Sequence, residues 1–439
     1  MSEQIETQTV EVAPDQVVAQ RIVEVRMSPT RRVAIGAAIV ILGLLTILAL
    51  GLSAGKHSTQ FDLNVAGTGI QVPKFSLPGK AMCFVLGVII VVLGVAQIAR
   101  GFGKKQLRWV GITVALLFIV AFLAWTGTTG KQSIQVAALL QQTLLLATPL
   151  ILGAMSGVLC EKSGVINVAI EGQMLFGAFA GALFGTLSSS WVGLIAAAVI
   201  GGLMGALLAV FSIKFLVNQV ILGVVLNAFA LGLTGYLYDA VMANNSGGTN
   251  SPSTFSNIKI PVLGDIPVIG PLLFNQNVIV YLMYVIVFVI DFMLIRSRWG
   301  LRTRAVGEHP KAADTMGINV LRLRYKNVIL GGCVAGVAGA ALTIGSVGSF
   351  NKDMTSGQGF IALAALIFGR WTPRGALGAA LFFGFASALQ TTLSLLATPV
   401  KIDTNLLAML PYLATIFAVA GLVGRVRAPA ADGEPYVKG

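Results

Sequence analysis

Apolar residues in this chain come neither in alternation nor in narrow stripes but in long unbroken runs, separated by short polar, basic or Gly- and Pro-rich connections. The runs cover 33–52, 81–98, 109–125, 133–159, 165–187, 191–215, 217–238, 277–295, 327–347, 360–371, 375–397 and 406–424. A helix rises about 1.5 Å per residue, so the first run alone reaches about 30 Å, the thickness of a bilayer's hydrocarbon core. The pattern predicts an all-α polytopic membrane protein with about 10–12 transmembrane helices. The first run is longer than a signal-peptide core and lacks a persuasive cleavage site, so it is expected to remain as a span.

Some runs depart from the plain pattern. The run 133–159 is long and holds Pro149, which removes a helical hydrogen bond and can kink the segment. The run 360–371 is too short to cross the core unaided and predicts a half-helix. Within 164–185 sits a carboxylate, Glu171. Near a bilayer centre such a group costs at least about 2.5 kcal/mol, so it is expected to face a protein interior or a watery cavity. On a helix Asn167, Ile170, Glu171 and Met174 share a face. Gly177, Gly181 and Gly185 repeat every four residues on another and would admit a neighbouring backbone; Gly201 with Gly205, and Gly332 with Gly336, repeat that spacing.

Composition agrees with the runs: of 439 residues 56% are hydrophobic and 11% charged, with a mean hydropathy of +0.86. The net charge of +13 would suggest nucleic acid on a soluble domain, but the Lys and Arg lie in short connections. If every run crosses and the N-terminus lies in the cytoplasm, 23 of the 30 Lys and Arg fall on the inner side. That asymmetry predicts cytoplasmic N- and C-termini, and nothing points to nucleic acid. Residues 1–20 are polar and acid-leaning, as a disordered tail would be. Cys83, Cys160 and Cys333 show no pairing or CxxC spacing, His57 and His309 lie far apart in loops, and each Gly-Lys pair lacks the flanking residues of a P-loop. No metal, cofactor or catalytic constellation is signalled.

The connection 239–276 is rich in Asn, Ser, Gly and Pro, as a solvated outer loop should be. The connection 296–326 carries eight basic residues. Within it Pro310 suits a first helical turn, Lys311, Ala312 and Ala313 favour a helix, and Gly317 suits its end, so a short helix is expected after His309. From propensity alone it is either a solvated connector or a docking element.

Two separated motifs bring a resemblance. The stretch Glu161-Lys162-Ser163-Gly164-Val165-Ile166-Asn167-Val168-Ala169-Ile170-Glu171-Gly172, with Met174 and Gly177-Ala178-Phe179, resembles permease subunits of bacterial ABC importers in the branched-chain amino acid, simple sugar and nucleoside group. The stretch Arg304 to Ala313, with Gly317 and Ile318, is similar to that group's cytoplasmic coupling loop. Asn218 to Gly223 with Asn227, and Ala362 to Trp371, resemble the nucleoside and simple sugar branch. The resemblance covers about residues 133–424.

It implies a core of two inverted five-helix repeats, here 109–424, with a coupling loop at 296–326. Residues 1–32 would be an N-terminal tail, 33–108 two additional spans and 425–439 a C-terminal tail. The repeat pairs the span of Glu171 with 360–371, and 164–169 shares three identities with 359–364. It also implies partners: a cytoplasmic ATP-binding subunit that docks at Gly307, Glu308, Pro310, Lys311, Ala312, Ala313 and Gly317, a second permease chain, and an extracytoplasmic substrate-binding protein or lipoprotein. The chain would have no enzymatic activity of its own.

Uncharged donors and acceptors at Asn167, Asn218, Gln219, Asn227, Gln390 and Thr391, together with Glu171, suit a pathway for a nucleoside or sugar better than one for an ion. The structural reading of each is interhelical hydrogen bonding, and Glu171 in particular reads equally as pathway or as anchor. The competing function is an ATP-independent secondary transporter with Glu171 as proton carrier. A membrane-embedded enzyme is more remote, for want of a paired carboxylate, Ser/His or metal set.

Overall fold

The computed structural model describes residues 28–65, 72–131, 133–396, 398–400, 403–417 and 427–438. The expected N-terminal tail, residues 1–20, lies outside them. Among the described residues, ten helices are long and apolar enough to cross a membrane, and Gln358–Phe368 is a shorter apolar helix. The chain is a multi-pass, almost wholly helical membrane protein.

The described chain forms two compact units. In the first, α1 (Pro29–Leu45, continued as a π-helical turn Thr46–Gly51), α2 (Gly79–Ala99) and α3 (Lys104–Thr126) follow one another. Ser28 caps α1 by accepting from the Arg31 amide, and Pro29 occupies the first turn, where no amide is needed. Glycines bring α1 and α2 together: Gly36 lies on Gly94, and Gly43 on Gly87. The sequence division assigned the third span to the permease core; it belongs to this first unit.

The second unit begins with β1 (Thr59–Asp62), which pairs antiparallel with β2 (Phe75–Leu77) and parallel with β3 (Ile134–Gln135). Then come α4 (Val136–Glu161), α5 (Ile170–Leu187), α6 (Ser190–Ala209) and α7 (Gln219–Leu237). A loop follows with α8 (Ser246–Thr249), α9 (Ile269–Leu273) and the small ladder of β4 (Ile258–Lys259) with β5 (Asn275–Gln276). The next helices are α10 (Val278–Arg296), α11 (Arg298–Glu308), α12 (Pro310–Thr315) and α13 (Val320–Leu342). Last come α14 (Gln358–Phe368), α15 (Pro373–Leu395), α16 (Thr404–Ala408) and α17 (Leu410–Phe417). Side-chain caps on Ser189, Asn218, Asn277, Asn319 and Thr372 start α6, α7, α10, α13 and α15. Despite Pro149, α4 runs through as one helix. The last predicted run, 406–424, extends beyond the described residues.

An internal pseudo-symmetry orders this unit. Helix α5 lies along α13, and α14 lies along α4, with Ala362 and Leu366 over Gly153 and Gly157. Helix α6 packs on the other side of α13, where Gly201 and Gly205 meet Gly332 and Gly336, and α15 packs on α4 with Gly384 against Ala147. At Gly177 the approach is so close that a Cβ would sit 2.3 Å from the Gly336 carbonyl oxygen, so a side chain there would part the helices. Gly181 and Gly185 face Thr343 and Ile344 farther along, and Gly193 of α6 meets both.

The pairing of the span of Glu171 with the short run therefore holds at the level of helices, but not in the expected register. Residues 164–169 are irregular, whereas 359–364 lie inside α14. The equivalent points are the chain reversals after α4 and α13, where Gly164 and Gly348 take left-handed conformations, φ +84° and +74°.

Candidate functional site

Each reversal feeds a helix that starts inside the bundle, and a helix start leaves unpaired N–H groups that cost several kcal/mol apiece where water is absent. The first reversal, residues 162–169, has no exposed residue. Side chains of α7 satisfy its backbone. Gln219 accepts from the Ile166 amide at 2.7 Å; Asn227 accepts from Gly172 at 2.8 Å and donates to the Val168 carbonyl at 2.9 Å. Asn167 is fully buried and donates to the Gln173 side chain at 3.0 Å and toward Ser156 of α4 at 3.3 Å.

The second reversal, residues 348–357, is held from both sides. Asn250 brackets the buried Phe350, accepting from its amide at 2.6 Å and donating to its carbonyl at 2.9 Å. Phe350 packs edge-on to Phe179 of α5. At the start of α14 the carboxylate of Glu171 accepts from the amides of Gly357 and Gly359, at 2.8 and 2.5 Å. Glu171 itself stands in the first turn of α5, so the two inner helix starts meet through one side chain. A carboxylate there is favoured by the partial positive charge of both helix N-termini.

The end of the bundle that carries Lys162, Lys214, Arg296, Arg370 and Arg374 holds a second constellation. Helices α11 and α12 form a bent pair between α10 and α13. Pro310 opens α12 and Gly317 closes it at φ +77°, with the Ile318 amide returning to the Ala313 carbonyl. Ala313 is buried, while Glu308, His309, Lys311, Ala312 and Gly317 are exposed and Met316 projects at 82% exposure. Gly307 touches the first reversal: a Cβ there would lie 2.4 Å from the Lys162 carbonyl oxygen. The irregular turn and the α11–α12 pair are thus in backbone contact.

Beside that contact lies a polar hub of Glu161, Lys162, Arg324, Trp371 and Asp432. The Trp371 indole donates to Glu161, and the Arg324 guanidinium, 2% exposed, donates to the Glu434 carbonyl at 2.8 Å. Asp432 faces Glu161, Arg324 and Lys162; burial pushes its carboxyl up to about 7. Burial also lowers the Lys162 ammonium, against the raising influence of Glu308 and Asp432. Arg370 and Trp371 both take left-handed conformations at the α14–α15 turn, φ +57° and +53°, which costs on the order of 1 kcal/mol or more each.

Five of the seven polar residues singled out in the sequence, Asn167, Glu171, Asn218, Gln219 and Asn227, bond helix starts or the first reversal; Asn218 does so as the exposed cap of α7. Gln390 and Thr391 lie half-buried on α15, where the Thr391 hydroxyl bonds the Ser387 carbonyl of its own helix. An apolar hollow of about 310 Å³ between α10, α13 and α4, lined by Val285, Val289, Ile290, Met293, Leu330 and Val334 among others, includes none of the seven. The sequence motifs include Glu161 and Trp371 but do not pair them, and Arg324 and Asp432 carry no signal there, lying in a basic connection and beyond the last apolar run.

With this geometry in view, comparison with known proteins is informative. The family profile for the permease component of branched-chain amino acid transport systems matches residues 139–420. The chain belongs to this permease family. The matched residues lie wholly in the second compact unit, from α4 onward. The permease is 43% identical over 305 residues to the guanosine ABC transporter permease protein NupQ of Bacillus subtilis, covering 68% of this chain and 95% of the relative. It is 36% identical over 303 residues to the nucleoside ABC transporter permease protein NupC of Lactococcus lactis, covering 67% and 95%. The putative glucose ABC transporter permease protein TsgC13 of Haloferax volcanii is 33% identical over 310 residues, covering 66% and 92%. No solved structure matches the permease. A permease is a transport subunit, and its residues are read for passage and coupling.

Proposed function

We propose that this permease carries nucleosides across the bacterial cytoplasmic membrane as one membrane subunit of an ATP-driven importer. The observation that carries the substrate class is the 43% identity with a guanosine permease over nearly that protein's full length. The lower identity with a glucose permease supports sugars as the second choice. ATP is hydrolysed by a separate cytoplasmic subunit that docks on the exposed side of α11–α12, at Glu308, Pro310, Lys311, Ala312 and Gly317, while Gly307 and Ala313 face the permease. A second permease chain completes the path, and an extracytoplasmic binding protein delivers substrate.

The excess of Lys and Arg supports a basic end that faces the cytoplasm, with both termini there. The first three spans, α1 to α3, form a compact unit of their own and are not assigned to the path. Asn167, Glu171, Gln219 and Asn227 hold the two inner helix starts around which the path opens. Glu171 as a proton carrier is disfavoured, because both of its oxygens are occupied as acceptors for backbone amides.

The test is uptake into proteoliposomes that contain the permease, its ATP-hydrolysing partner and the loaded binding protein. Labelled guanosine should accumulate only with ATP, and unlabelled nucleosides should compete while glucose does not. Accumulation driven by a proton gradient without ATP would overturn the proposal; competition by glucose alone would move the substrate class to sugars.

A further inference from the structure

The chain's last described residues, 427–438, do not leave the bundle as a tail. They cross the inner side of the α11–α12 pair and the first reversal, touching both. The Ala431 amide donates to the Gly307 carbonyl at 2.9 Å, and the Ala430 amide to the Glu308 carboxylate at 3.3 Å. Pro429 lies over Gly307. Next along, Gly433, in a left-handed turn at φ +80°, brings the segment onto Ile166 of the reversal, and the Ala431 carbonyl lies against Gly164. Asp432 turns inward to Glu161, and Arg324 holds the Glu434 carbonyl. Tyr436 finishes the crossing, buried among Val306, Ala313, Val320 and Leu323 and facing Asp314 of α12.

These contacts join three parts of the second unit. Helices α11 and α12 meet the reversal through Gly307 and Lys162. Glu161, through Trp371, reaches the turn between α14 and α15. The segment grips α11, α12, α13 and the reversal at once, and its carboxylate reaches Glu161. Backbone bonds at Ala430 and Ala431 set its register, Asp432 and Arg324 fix its depth, and Tyr436 fixes its far end. A push on α12 thus arrives at the first reversal along two routes, Gly307 directly and the segment in parallel.

We propose that residues 427–438 form a coupling strap, with Asp432 and Arg324 as positioning residues, which makes the α11–α12 pair and the 162–169 reversal move as one body. The inference rests on the reading of α11–α12 as the docking site of the ATP-hydrolysing subunit. Without the strap the subunit still docks, because the outward face of α12 is untouched, but its movement is no longer delivered to the split helices. Hydrolysis then continues with little transport.

The experiment uses the full transporter in proteoliposomes and measures three quantities: co-purification of the ATP-hydrolysing subunit, ATP turnover, and substrate moved per ATP. A chain that ends at residue 426 and the variant Asp432→Ala should both keep the subunit bound, while substrate moved per ATP falls about tenfold or more. Asp432→Asn, which keeps a hydrogen bond to Glu161, should retain coupling within about twofold. If the shortened chain fails to accumulate, Asp432→Ala against Asp432→Asn decides. Unchanged substrate per ATP in Asp432→Ala would overturn the strap, as would loss of the bound subunit in either variant, since the segment would then build the docking face instead of transmitting from it. Failure of the unaltered permease to hold an ATP-hydrolysing subunit would overturn the docking reading and the strap with it.

Discussion

The two reversals occupy equivalent places in the second unit, one after α4 and one after α13, yet they are built differently. Residues 162–169 include none that is exposed, and their backbone is bonded by Gln219 and Asn227 from a neighbouring helix. In residues 348–357, Asn351, Lys352, Asp353 and Ser356 are exposed, and Lys352 pairs at the surface with Asp239 at 2.6 Å. The first is tied to the α11–α12 pair by Gly307; the second ends in two glycine amides held by Glu171. One inner helix start is therefore fixed to the α11–α12 pair, and the other adjoins the exposed residues 351–353. Symmetry of the fold sets where the chain breaks, and the local side chains decide which break is firm.

The largest expected effect breaks that comparison at its polar clamps. Asn250→Leu leaves the amide and carbonyl of the fully buried Phe350 without partners, and each such group costs about 1–3 kcal/mol. Asn227→Leu removes the matching pair of bonds at Gly172 and Val168, which are only part-buried, so the loss should be about half as large. Thermal unfolding in detergent checks the order: Asn250→Leu must melt lower than Asn227→Leu. Equal shifts would mean that the two clamps are equally dry.

A smaller effect concerns pH at the strap. Asp432 is pushed up to about 7 by burial, from a usual value near 3.8, with Glu161, Lys162 and Arg324 facing it and Glu308, Arg304 and Glu434 close by. A carboxyl that is raised in the docked state binds its proton more tightly docked than free. Docking is then firmest below about pH 4 and weakens as pH rises toward about 7. A spin label at the exposed Val437, placed by Val437→Cys, should gain mobility between about pH 4 and about pH 7, and Asp432→Asn should reduce the change. A label whose mobility is constant across that range would remove Asp432 from the docking equilibrium.

Much of this was legible in the chain, for reasons that differ by region. Long apolar runs reveal spans because a bilayer demands them, and Pro310 and Gly317 bounded α12 because first turns and helix ends have fixed chemistry. The short run that became α14 was visible as a shortfall in length. The register of the repeat was not visible, because identities among Gly, Ala, Ile and Val arise freely in apolar sequence, and the match of 164–169 with 359–364 paired a reversal with a helix. The partners of Glu171 could not be read either: they are backbone amides 186 and 188 residues away, and an amide carries no side-chain signature. For the same reason the strap read as a tail, since its grip depends on the Gly307 and Glu434 carbonyls.

The difference between the reversals is open to direct measurement by amide hydrogen exchange on the permease in nanodiscs, followed in peptides covering 162–173 and 348–358. The amides of Ile166 and Gly172, part-buried and bonded to Gln219 and Asn227, should exchange about a hundredfold more slowly than those of the exposed Lys352 and Asp353. Equal exchange in the two segments would contradict the account, for neither reversal would then be the firm one.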